Sequence, residues 1–372
     1  MAPTQDALYA DIDLDLSWSE RELPERERTK HVHRLHPYLG KFIPQVVEVL
    51  VERYFRPRQH VLDPFAGSGT TLAQALESGL DATGVDIAAF NCLLMDVKTH
   101  RYNAFVLEHE LREVHARIPV LNPTAARPSG FVRRWYAPRA ARELLAFREL
   151  IGEYEHADVL RVVLARAARS ARRTTHFDLD FPREPQLEPY WCHKHRRTCR
   201  PVEAASQFLR RYTLDTLERL KQFGRIRARG REASVIHGDA RDVRYAEKFD
   251  GIVTSPPYPG LIDYHEQHRY AYELLGLDDR RELELGAAAT GTSREALAEY
   301  CAGITAALVN ASAALRRNAR IVIVVNDRRD LYPQILADAG LRLESRLRRH
   351  VNRRTGRRSG EFFEDVLVAH LS

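Results

Sequence analysis

The stretch His60-Val61-Leu62-Asp63-Pro64-Phe65-Ala66-Gly67-Ser68-Gly69-Thr70 decides the fold. A short apolar run ends in an acid, turns through two glycines and enters a helical pattern over 71–78, which Gly79 stops as a C-cap. Gly67 and Gly69 let the backbone take positive φ and approach a ligand closely, and free N–H groups at the helix start can face an anion such as a carboxylate. Outward from there, Asp81-Ala82-Thr83-Gly84-Val85-Asp86 reads as a second strand with a helix beginning near Ala88. The alternation resumes at 233–239, 249–254 and 319–325, and segments 343–351 and 364–371 close it as a hairpin. This order predicts an α/β fold, a Rossmann-like, largely parallel, doubly wound sheet with an antiparallel edge hairpin. In such sheets ligands sit beyond the carboxyl ends of the strands, where an acid placed like Asp86 hydrogen-bonds ribose hydroxyls.

Composition sets the outer limits. With 372 residues the chain can bury one large α/β core with an elaboration, or two domains. It has no run of about 18 apolar residues and no basic start followed by an apolar stretch, so a soluble, cytoplasmic protein is expected. Four cysteines in a chain this long do not form a disulfide scaffold and agree with a reducing compartment. The net charge of +6 is uneven: residues 97–232 hold 28 Lys and Arg against 16 Asp and Glu, a net of +12, which leaves −6 for the rest. That asymmetry fits a polyanion-binding region, and equally a set of solvated Arg-rich helices. The connection is far longer than usual and carries helical runs at 139–154, 157–173 and 202–229, with a Pro-rich break before the last. Residues 1–30 read as a flexible or loosely docked arm.

The second decisive stretch is Ser255-Pro256-Pro257-Tyr258, at the end of the strand 249–254. Together with 63–70 it resembles the S-adenosylmethionine-dependent DNA amino-methyltransferases of the N4-cytosine and N6-adenine type. The likeness covers 36–44, 61–91, 235–258 and the closing strands, about half of the chain. It implies a catalytic domain of 31–96 and 233–372. The helical basic insertion between them, 97–232, does not lie where the family's recognition regions are expected, and its assignment to DNA recognition rests on its charge and size. The likeness implies S-adenosylmethionine held by the glycine loop, Asp63, Pro64, Phe65, Ala66, Gly67, Ser68, Gly69 and Thr70. His36, Tyr38 and Lys41 would help at the methionine end, Asp86 would take the ribose, Asp239 with Ala240 the adenine amino group, and Phe65 and Ile87 would flank the cofactor.

The chemistry needs such residues. An exocyclic base amine is a poor nucleophile because its lone pair is delocalised into the ring. Acceptors for both N–H bonds let the nitrogen become tetrahedral and aim its lone pair. Ser255 offers one through its hydroxyl and Pro256 another through its carbonyl, which Pro257 helps to fix. Tyr258 offers a face on which an extruded base can stack. No Pro-Cys pair is present, which argues against ring-carbon methylation of cytosine. In this family a Ser at the first motif position resembles the cytosine-N4 enzymes. Adenine N6, guanine N2 of RNA, and non-catalytic nucleic-acid binding remain as alternatives.

Double-stranded DNA is the expected partner, and a cognate restriction endonuclease and a homodimer stay open. Candidate DNA contacts are Arg133 and Arg134 beside Trp135 and Tyr136, then Arg172, Arg173, Arg196 and Arg197. The run Arg348, Arg349, Arg353, Arg354, Arg357 and Arg358 is either a phosphate grip or a solvated turn. Asp263 and Tyr264 either line the base pocket or begin a helix. Cys192, His193, His195 and Cys199 carry metal-ligating chemistry, but this spacing lacks a CxxC pair and is cramped for one ion, so no metal is assigned.

Overall fold

The computed structural model describes residues 12–19, 21–37, 43–122, 126–176, 182–351 and 362–372. They form two compact units. The first comprises 1–99, 226–263 and 282–372, and the second 100–225 and 264–281.

The first unit is built on a seven-stranded sheet. Its strands are β1 (His60–Asp63), β2 (Asp81–Asp86), β3 (Ala233–His237), β4 (Phe249–Thr254), β5 (Leu315–Val325), β6 (Leu341–Val351) and β7 (Phe362–Leu371), in spatial order β3-β2-β1-β4-β5-β7-β6. All pairs are parallel except those of β7, which runs antiparallel to both β5 and β6. This is the expected Rossmann-like sheet with its edge hairpin. The central strands are continuous apolar runs because helices cover both faces. Ile252, Ile321, Ile323 and Leu367 pack toward the helices Arg294–Ala313 and Tyr332–Asp338. Val253, Val322, Val324 and Val366 pack toward Pro44–Tyr54 and Thr70–Glu77. Only glycine fits at position 251, where a Cβ would lie 2.3 Å from the Arg320 carbonyl and 2.5 Å from the Phe55 ring.

Residues 12–19, read from sequence as part of a loose arm, pack on this unit. Leu16 is fully buried beside Val46 and Leu50, and the Asp13 N–H donates to the Arg348 carbonyl at 2.7 Å. Leu16 and the partly buried Trp18 anchor the segment, and Arg53 donates to the Asp13 carboxylate at 2.6 Å.

The second unit is helical. Its main helices are Ala104–Arg117, Pro138–Leu150, Ala157–Ala171 and Ser206–Ile226, the last ending at the unit's border. Ala157–Ala171 is buried along nearly its whole length. Residues 264–281, which the sequence places in the α/β part, join this unit instead. Tyr270 is fully buried, and the Arg172 guanidinium lies 4.9 Å from its ring centroid. The unit holds 27 Lys and Arg against 19 Asp and Glu, a net charge of +8. No helix among the described residues is long and apolar enough to cross a membrane.

Candidate active site

β1 and β4 are neighbours, with Val61 level with Gly251 and Leu62 with Ile252, so the loops that follow them emerge side by side. Asp63 joins them. Its carboxylate accepts from the Thr254 hydroxyl at 2.6 Å, the Thr71 hydroxyl at 2.6 Å and the Phe65 N–H at 3.1 Å. The side chain is 1% exposed. Burial pushes its carboxyl up to about 6, with the three hydrogen bonds working the other way. All of its contacts are therefore internal: it fastens the glycine loop to the residue before Ser255.

The glycine loop takes the form expected of it. Gly67 and Gly69 have φ of 52° and 75°, and a Cβ on Gly69 would lie 2.7 Å from Met95 Cγ. The helix Thr70–Glu77 starts there, and its first N–H groups lack intrahelical acceptors. Ser68 is buried, and its hydroxyl oxygen finds no partner among the described residues. The buried Lys98 amine donates to the Ser68 carbonyl, a contact that sequence reasoning missed. Gly69 thus packs directly against Met95, while the Ser68 hydroxyl and the N–H groups at the helix start are the groups that suit a ligand's carboxylate end.

Asp86, at the end of β2, accepts from the Gly67 N–H at 2.8 Å, the Ala88 N–H at 2.8 Å and Asn91 Nδ2 at 3.0 Å. It shapes the glycine loop and caps the next helix. Ile87 is half-buried, and its carbonyl lies 3.0 Å from His237 Nε2. Pro64 and Thr70 are buried, and Phe65 packs partly into the core. Asp239 is held by Arg241 through its Nε at 2.9 Å and the Arg241 N–H at 2.9 Å. Burial alone would raise its carboxyl, and the Arg241 bonds outweigh burial and keep it below the ordinary range. A base amino group would therefore compete with Arg241. Ala240 is buried, and its carbonyl accepts from Asn310 Nδ2 at 3.0 Å. His36 is buried with its ring edge-on to Phe90, 5.0 Å between centroids, on the helix that follows β2. Tyr38 and Lys41 lie outside the described residues.

The acceptor loop is held from several sides. The Tyr258 hydroxyl donates to Glu364 Oε1 at 3.0 Å, and Glu364 Oε2 accepts from Arg349 Nε at 2.9 Å. Arg349 also donates to the Leu16 carbonyl at 3.2 Å. Burial and the adjacent Glu364 carboxylate push the Tyr258 phenol well above its usual range, against the opposing hydrogen bond from Ser255. The Tyr258 hydroxyl gives its proton to Glu364, which leaves its oxygen to accept from the Ser255 hydroxyl and ties Ser255 into the same network. The Tyr300 hydroxyl donates to the Pro257 carbonyl at 2.9 Å. No donor among the described residues takes the Pro256 carbonyl. A cavity of about 180 Å³ opens beside the loop, lined by Tyr258, Pro259, Asn326, Asp327, Arg328 and Phe362 among others. Asp263 accepts from the Ala289 N–H at 3.1 Å, and Tyr264 begins the short helix Tyr264–Gln267.

Several candidate DNA contacts are not where the sequence placed them. Arg172 is 4% exposed against Tyr270, and Trp135 and Tyr136 are core residues. Arg349 is 3% exposed in its pair with Glu364, and Arg348 lies over the Phe363 ring. Arg172 is held inward by an aromatic ring and Arg349 by a buried carboxylate, whereas Arg348 stays exposed; a count of bases does not register such partners. Arg134 pairs with Glu184 at 2.7 Å, Arg133 caps the Pro128 carbonyl at 2.7 Å, and Arg173 is half-buried. Arg196 and Arg197 are exposed, whereas Arg353, Arg354, Arg357 and Arg358 lie outside the described residues.

Comparison with known proteins bears on the same blocks. A sequence model of the family described as DNA methylase matches residues 8–95, the stretch that holds the glycine loop and Asp86. The chain is 35% identical to the Type II methyltransferase M.MjaII of Methanocaldococcus jannaschii, across 95% of this chain and 83% of that protein. It is 23% identical to the Type II methyltransferase M.MvaI of Kocuria varians, across 61% of this chain and 53% of that one. It is 20% identical to the Type II methyltransferase M.BsoBI of Geobacillus stearothermophilus, across 70% and 56%. It therefore spans about half the length of the latter two.

Proposed function

The chain belongs to the DNA methylase family, and from that premise we propose that it methylates the exocyclic N4 of a cytosine flipped out of duplex DNA. S-adenosylmethionine supplies an electrophilic sulfonium methyl when bound. Gly67 to Thr70 would hold its carboxylate end and Asp86 its ribose. The observation that carries the reading is the Asp63 carboxylate, which bonds Thr71, in the helix that follows the glycine loop, and Thr254, the strand residue before the acceptor loop, at 2.6 Å each. One buried group thereby keeps the methyl donor's crevice next to the amine's acceptors.

Ser255 Oγ and the Pro256 carbonyl each accept one N–H of the base amine, so that its lone pair is directed at the methyl carbon. With the cofactor bound, the methyl would pass from sulfur to this nitrogen, and Ser255 and Pro256 would hold the amine's protons until the surplus one is lost to solvent. Tyr258 and Glu364 keep the Ser255 hydroxyl turned as an acceptor, and the 180 Å³ cavity beside Tyr258 receives the ring. Cytosine is preferred over adenine on the serine at the first motif position. Marking of host DNA alongside a cognate endonuclease is the setting that fits.

The test is a labelled-methyl assay on duplex DNA, followed by digestion to nucleosides. N4-methylcytosine is the expected product, and N6-methyladenine alone would overturn the base assignment. Ser255→Ala should cut turnover by roughly 10²-fold or more, as loss of one transition-state acceptor does, while cofactor affinity in a calorimetric titration stays unchanged.

A further inference from the structure

The second unit contains a two-stranded hairpin, Tyr190–Cys192 against Arg197–Cys199. Strand alternation puts Cys192 and Cys199 on one face and Trp191 and Thr198 on the other. Arg196, at φ 49°, turns the chain so that His195 folds back between the two thiols. His195 Nδ1 lies 3.7 Å from Cys192 Sγ and 3.5 Å from Cys199 Sγ. His176, sixteen residues before Cys192, brings its Nδ1 to 3.5 Å from Cys192 Sγ. One ligand atom from each of these four residues lies within 4.8 Å of every other. His193, which the sequence places in this group, is not among them.

We propose that His176, Cys192, His195 and Cys199 bind one zinc ion. Around a tetrahedral zinc with Zn–S of about 2.3 Å and Zn–N of about 2.0–2.1 Å, adjacent sulfur and nitrogen ligands are about 3.6 Å apart. The three sulfur–nitrogen distances, 3.5, 3.7 and 3.5 Å, match that geometry. Both thiols are buried, at 1% and 8% exposure, although residues 193–198 around them are exposed. Three-residue strands cannot hold a hairpin together by themselves, so a crosslink has work to do here. His176 Nδ1 also lies 2.8 Å from the Tyr190 hydroxyl. The ion would take that place and leave the hydroxyl to the His176 N–H, 3.1 Å away. Four protein ligands close the coordination shell, so the ion is structural and offers no position for an activated water. It fixes a tip that exposes Lys194, Arg196 and Arg197, none of which makes an ion pair among the described residues.

The experiment is zinc analysis of the full chain purified from zinc-supplemented culture, paired with cobalt(II) substitution of the same protein. One zinc per chain is expected, with intense tetrahedral d–d bands and thiolate-to-cobalt charge transfer in the substituted form. Cys192→Ser combined with Cys199→Ser, and separately His176→Ala, should lower zinc retention at least about tenfold, whereas His193→Ala should retain it. A wild-type chain that holds no zinc and gives no cobalt–thiolate band would overturn the assignment. So would a Cys192–Cys199 disulfide found by mass, or zinc lost from His193→Ala but kept by His176→Ala. The cobalt spectrum is read on the wild type, so a variant that fails to fold does not decide the outcome.

Discussion

At the scale of single residues, the site is organised around carboxylates that spend their bonds inside the protein. Asp63 is the clearest case, because its folded-state pKa of about 6 exceeds the unfolded value of 3.8. A group raised in this way favours the folded state fully below the unfolded pKa, and that contribution is lost as pH rises through about 6. Asp63→Asn keeps the shape and removes the titration. Between pH 5 and 8 the wild type should therefore lose about 1–2 kcal/mol of stability relative to the variant. Urea denaturation at the two pH values reads this directly, and parallel curves for the two proteins would refute the assignment. The sequence pointed to Asp63 through its motif, as a residue of the cofactor loop, but not to its bracing contacts. Its hydroxyl partners, Thr71 and Thr254, are 8 and 191 residues away in the chain.

At the scale of elements, the hairpin of β6 and β7 does more than close the sheet. It carries Arg349 and Glu364 to the back of the acceptor loop, where Glu364 orients Tyr258. Removing one partner of a buried pair leaves the other charge uncompensated. Arg349→Met should thus cost about 3–5 kcal/mol, seen as a lower urea midpoint at an unchanged m-value. A loss below about 1 kcal/mol would class the pair with exposed ones. The strands were legible in sequence because the central ones are apolar throughout. The helices Ala104–Arg117 and Arg294–Ala313 were not. The first spreads apolar residues around its surface, leaving Phe105 88% exposed, and the second is rich in alanine with little contrast between faces.

At the scale of the whole molecule, charge is divided unequally between the two units, and ion pairs neutralise much of the excess. Arg112, Arg117, Arg139, Arg161, Arg166 and Arg219 of the helical unit all pair with acids. The bases left to meet phosphate include those of the hairpin tip. Arg196→Ala with Arg197→Ala should reduce the slope of log affinity against log salt by about 2, since each phosphate contact contributes about 0.9. An unaltered slope in a fluorescence titration would place DNA recognition elsewhere. The amino-acid sequence alone determined the sheet, the glycine turn and the serine–proline corner, because local periodicity and backbone restriction are written in consecutive residues. Only the tertiary structure decided which arginines are core residues, which acid braces two loops and which histidine joins Cys192, His195 and Cys199. Those outcomes depend on burial and on contacts between residues far apart in the chain, and no local pattern encodes either.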